Sequence, residues 1–164
     1  MSLTNLRAQT EKSKEVPLDT SDFLDITGKF DGTVSDFKGA YTATLIQHNT
    51  IMEKQTLNVK KSFDFTLKKN MLYAIRIEKE GFISKTISVS TYAPNKIDGR
   101  NNYEFILETN LLSQDLNSHF NDDDIDFPVA LVSYTKGCDC FEFNKAYTST
   151  LIARMINSLL FGSI

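Results

Sequence analysis

The stretch "IRIEKEGFISKTISVST", residues 75–91, alternates apolar and polar side chains up to Gly81 and then alternates again. A period of two is the repeat of a β-strand with one buried face, so Ile75 and Ile77 point one way and Arg76 and Glu78 the other. The second run puts Ile83, Ile87 and Val89 on one side, interrupted by Lys85. A glycine between two such runs supplies a positive φ at little steric cost, which predicts a hairpin cornered at Gly81. Lys79, Glu80 and Lys85 then read as solvent-facing side chains on that hairpin.

The same period extends in both directions. In "FLDITGKF" the residues Leu24, Ile26, Gly28 and Phe30 share a face, and in "AYTATL" so do Tyr41, Ala43 and Leu45. "TLNVK" is a short strand. "SFDFTL" sets Phe63, Phe65 and Leu67 opposite Asp64 and Thr66, "MLYAIRIEK" begins its inward face with Met71 and Tyr73, and "NYEFILE" offers Tyr103, Phe105 and Leu107. Breakers such as "HNT", "KKN", "KEG" and "APNKIDGRNN" separate the runs. About seven short strands with turn signals between them predict an all-β, antiparallel sandwich over residues 22–109. Residues 1–21 are polar with no sustained period and read as a flexible lead-in.

Beyond residue 109 the character changes. "TNLLSQDLNSHFNDDDIDF" carries five Asp and no Lys or Arg, and reads as a long connection. "PVALVSY" is a further strand with Pro128 at its start, where proline is tolerated, "KGCDC" is a turn and "FEF" is extended. From Asn144, a good N-cap, Tyr147, Leu151, Ile152, Met155 and Leu159 fall at helical spacing. The segment 110–164 is therefore expected to be an extension containing one α-helix. The helix's apolar stripe needs a cover, which makes Tyr147, Leu151 and Met155 candidates for meeting a protein partner.

The bulk composition narrows the function classes. A chain of 164 residues buries enough surface to fold without a metal or a disulfide. A net charge of −3 argues against nucleic-acid binding, which usually rests on a strong basic excess. Eight Lys or Arg against three Asp or Glu between Lys54 and Lys85 read as solvated strand faces and protected edges. No run of apolar residues is long enough for a transmembrane helix. The start lacks the apolar segment of a secretory signal, which fits either a cytoplasmic protein or a mature chain.

"ITGKF", "GAYTATL", "FDFTL" and "YAIRIEKEGFISKTISVST" together resemble the carboxypeptidase regulatory-like, transthyretin-like (prealbumin-like) sandwich domains of bacterial envelope proteins. Gly28, Lys29 and Phe30 match that family's Gly-Lys-hydrophobic step, and Gly39 and Ala40 its Gly-Ala step. Tyr73, Ile75, Ile77, Lys79, Gly81 and Phe82 match the strand that runs to Lys-x-Gly-aromatic. The chain departs from the pattern in "TVSDFKG", which lacks the usual loop proline, and at Lys85. The resemblance implies a seven-strand transthyretin- or immunoglobulin-like sandwich and a periplasmic or cell-envelope location. It also implies a noncatalytic interaction or structural module, with a protein of the envelope as partner.

Chemistry-bearing residues are few. No G-x-S-x-G and no P-loop occurs, His48 and His119 stand near no nucleophile motif, and neither catalysis nor a cofactor is expected. Asp122, Asp123, Asp124 and Asp126 supply the hard oxygens calcium takes, with Asp122, Asp124 and Asp126 the candidate ligands. The run lacks the glycine and the terminal glutamate of an EF-hand, and a solvated loop is the plainer reading. Cys138 and Cys140, two residues apart, suit a relaxed disulfide poorly and read as a turn with two small side chains. With His119 and an aspartate they could bind zinc. Carbohydrate binding, the alternative function together with calcium, would have to use Tyr92 or Tyr103, because the chain has no Trp.

Overall fold

The computed structural model describes residues 21–30, 38–95, 102–113 and 128–161. Nine strands and one helix form among them: β1 Asp22–Phe30, β2 Ala40–Gln47, β3 Thr50–Asn58, β4 Phe63–Lys68 and β5 Leu72–Glu78, then β6 Lys85–Ser90, β7 Tyr103–Thr109, β8 Ala130–Thr135 and β9 Cys140–Phe143, followed by α1 Lys145–Phe161. They make a three-stranded sheet in the order β4-β1-β7 and a six-stranded sheet in the order β3-β2-β5-β6-β8-β9. The protein is mostly β, as the alternation predicts.

The expected purely antiparallel pairing is corrected. β1 pairs with β7 in parallel, and so does β6 with β8. Alternation sets which side chains face inward but carries nothing about strand direction, which depends on how long connections return the chain. β8 and β9 extend the six-stranded sheet beyond β6, and of the stretch expected as the short strand "TLNVK" only Thr56–Asn58 is extended, as the end of the nine-residue β3.

The inner faces follow period two closely. Leu24, Ile26, Phe63, Phe65, Leu67 and Leu107 of the small sheet meet Tyr41, Ala43, Ile75, Ile77, Ile87, Val89 and Val132 of the large one, all buried in one cluster. Gly28 stands opposite Phe63 across the β1–β4 pair. A Cβ there would lie 1.9 Å from the ring's Cζ, so the phenyl ring takes the space a side chain would occupy. The corners fit their residues as well. Gly81 has φ 80°, and His48 and Asn49, at φ 48° and 59°, make the β2–β3 turn in the doubly positive conformation that hairpins favour.

Lys85 corrects the reading of a solvent-facing side chain. It shares the inward face of β6 with Ile87 and Val89, and is half-buried. Its Nζ donates to Thr109 Oγ1 at 3.1 Å and to the Asn110 carbonyl at 2.8 Å. Burial holds its pKa below the ordinary lysine value.

The helix starts where its cap predicts. Asn144 Oδ1 accepts the Tyr147 N–H at 3.0 Å, satisfying one orphan donor of the first turn. No helix among the described residues is long and apolar enough to cross a membrane.

Candidate functional site

The β8–β9 turn, residues 136–139, concentrates the reactive side chains. Thr135 pairs with Cys140, Tyr134 with Phe141 and Ser133 with Glu142, so the two strands bring the turn to the end of the sandwich. Asp139 adopts φ 52°, a left-handed conformation that Asn and Asp tolerate better than most residues. Its Oδ1 accepts two hydroxyls, from Tyr103 and from Tyr134, each at 2.9 Å. Tyr103 belongs to the small sheet and Tyr134 to the large one, so a single carboxylate ties the two layers together.

Aromatic rings fill the space beneath this clamp. Tyr103 lies 5.1 Å from Phe23 and 5.3 Å from Phe141 between ring centres, and Phe141 lies 5.9 Å from Tyr134, all in edge-on geometry. Such pairs each add about 0.5–1.5 kcal/mol beyond the area they bury. The turn therefore rests on a rigid floor.

Cys138 and Cys140 are joined in a disulfide, their Cα atoms 5.2 Å apart. The expected turn with two small side chains is there, and the bond between them settles their redox state in this structure. Extended backbone at Cys140 and the left-handed step at Asp139 turn the two Cβ atoms toward each other, which spacing in the sequence does not disclose. Cys138 is exposed, and Cys140 and Glu142 are half-buried. One donor atom from each of Cys138, Cys140 and Glu142 lies within 4.8 Å of the other two, a set of two sulfurs and a carboxylate oxygen. Glu142 went unnoticed in the sequence. The signal was available, because alternate positions 140 and 142 of an extended run share a face.

The other expected residues are scattered. Asp122, Asp123, Asp124, Asp126 and His119 lie outside the described residues. His48 sits exposed at the β2–β3 corner. Tyr92 is 54% exposed, whereas Tyr103 is only 8% exposed and its hydroxyl is held by Asp139. A flat aromatic platform built from Tyr103 is therefore ruled out by its packing, and Tyr92 stands without it.

Tyr147 and Leu151 are half-buried beside Leu131, where they line a groove with Asn144, Ala146 and Arg154. The Tyr147 hydroxyl donates to the Pro128 carbonyl at 2.6 Å and so fastens the first turn of α1 to the segment leading into β8. Ile152 is 50% exposed. The Met155 side chain lies outside the described ones.

No family model matches this chain, and no curated protein matches it. Among solved structures, one titled "Crystal Structure of S.CueP" is similar at TM-score 0.37 and 11% identity, over 60% of this chain and 66% of that one. A similarity of that size carries no argument about fold family or function.

Proposed function

We propose that this chain is a noncatalytic interaction or structural module of a bacterial cell envelope, built on a transthyretin-like sandwich, with a protein as its partner. The observation that carries this reading is the helix. The Tyr147 hydroxyl anchors the first turn of α1 to the Pro128 carbonyl just ahead of β8, yet Ile152, one turn on, is 50% exposed. Burying an isoleucine side chain is worth about 1.5–3 kcal/mol, so an apolar helix surface left in water favours association. β3, an edge strand among the described residues, adds Ile51 and Met52, 60% and 56% exposed. The Cys138–Cys140 disulfide suits an oxidising compartment such as the periplasm.

Light scattering and partner pull-down, with the full chain and with a chain ending at Asn144, test this function. Loss of association in the shortened but still folded chain is the expected result. An unchanged oligomeric state and undiminished partner capture would count against it. The calcium alternative is tested by thermal melts with calcium and with EDTA, because a ligand that binds only the native state raises the Tm. An unchanged Tm at millimolar calcium retires the acidic-loop site.

A further inference from the structure

We propose that Cys138, Cys140 and Glu142 form a redox-gated site for a thiophilic divalent cation of the zinc class. The donor set comes first. Two thiolates and one carboxylate are ligands that zinc takes in tetrahedral sites, at about 2.3 Å to sulfur and about 2.0–2.2 Å to oxygen. The three donor atoms already lie within 4.8 Å of one another. Opening the sulfur–sulfur bond lets the two sulfurs move apart to about 3.8 Å, the separation such distances set around a tetrahedral ion. Asp139 Oδ1 is held by two tyrosine hydroxyls, and among the described residues the cluster offers three donors, with water as the fourth ligand.

The disulfide supplies the gate. Bonded to each other, the two sulfurs are not thiolates and offer the cation no anionic ligand. A small-molecule or protein dithiol opens the bond. Its two thiols become a disulfide, two electrons and two protons pass to Cys138 and Cys140, and both leave as thiols. Binding of the cation then releases those two protons to solvent as the thiolates coordinate. Exposed Cys138 gives the attacking thiolate access.

The turn does not need the disulfide to keep its shape. β8 and β9 remain paired, the Asp139 N–H donates to the Lys136 carbonyl at 3.4 Å, and the Tyr103 and Tyr134 hydroxyls hold the Asp139 carboxylate. A cross-link between residues two apart also constrains very little of the unfolded chain. The ligands therefore stay placed after reduction, which is what a binding site requires and a structural staple does not.

The test is cobalt(II) titration, cobalt standing in for zinc, on the full chain reduced by a phosphine and kept anaerobic. Reduced protein should take up one equivalent with thiolate-to-cobalt charge-transfer absorption in the near ultraviolet, and zinc should bleach it. Oxidised protein should give no such band. Cys138→Ser and Cys140→Ser should each weaken the band and the binding, and Glu142→Gln should keep the band while lowering affinity by at least about tenfold. Reduced protein alkylated at both thiols controls for variants that fail to fold, and should not bind. The site is disproved by a reduced chain that gives no band, or by serine variants and alkylated protein that bind as tightly as the wild type. A disulfide that opens only when the far-ultraviolet spectrum collapses would disprove the gate.

Discussion

Lys85 on β6 and Thr109 at the end of β7 are hydrogen-bonded across the two sheets, Nζ to Oγ1 at 3.1 Å, inside a face that is otherwise isoleucine and valine. The ammonium is half-buried and its pKa is depressed by desolvation. Between the folded pKa and the ordinary lysine value the unfolded chain holds more protons than the folded one, so stability rises with pH in that window. Denaturant unfolding at a series of alkaline pH values should show this rise in the wild type and not in Lys85→Met. Parallel pH profiles for the two proteins would show that the lysine is not desolvated.

Gly28 gives the sharpest packing prediction. Gly28→Ala drives a methyl into the Phe63 ring and should cost about 1–3 kcal/mol, the range for overpacked cores. Phe63→Leu opens room, so in the double variant the alanine should cost much less. A double-mutant cycle by chemical denaturation reads the coupling directly, and additive costs would mean that the ring does not cover the glycine.

Tyr41 should ionise well above the ordinary tyrosine value. Burial, with the nearby Asp64 carboxylate, pushes it up to about 12, and its hydroxyl donates to the Lys61 carbonyl at 2.8 Å. The folded-state pKa lies above the unfolded one. The stabilisation is therefore complete below the ordinary tyrosine pKa of about 10 and disappears as pH rises through about 12. Tyr41→Phe should cost about 0.5–1.5 kcal/mol at neutral pH, and its stability should fall less steeply than the wild type's above about pH 10.

The Asp139 clamp predicts a graded series. Asp139→Ala leaves two tyrosine hydroxyls without their acceptor and puts alanine in a left-handed backbone, at a cost of about 2–4 kcal/mol. Asp139→Asn keeps an acceptor and the tolerated backbone, and should cost less. Thermal unfolding of the two variants separates them, and equal losses would mean that the carboxylate does not join the sheets.

Local order was legible wherever one residue's environment repeats every second position. Phe63, Phe65, Leu67, Ile75, Ile77, Ile87 and Val89 share the inward face of their alternation and are buried, because a strand face cannot be apolar on alternate residues and remain in water. The caps and corners were equally local: Asn144 at the start of the helix and Gly81 at positive φ. Lys85 escaped the same reading. A charge on the inward face looks like an error of pattern until its partners appear, and these are Thr109 at the end of the other sheet's β7 and Asn110 just beyond it.

The order of residues, unaided, determined which segments are extended, which side of each meets the core and where the terminal helix begins, because these follow from steric and burial rules acting over a few neighbours. Only the tertiary structure decided that β1 and β7 run parallel, that Cys138 bonds to Cys140 beside Glu142, and that Asp139 joins Tyr103 to Tyr134. Each of these depends on where distant segments return to one another. Chain return is set by the packing of the whole, and no local period encodes it.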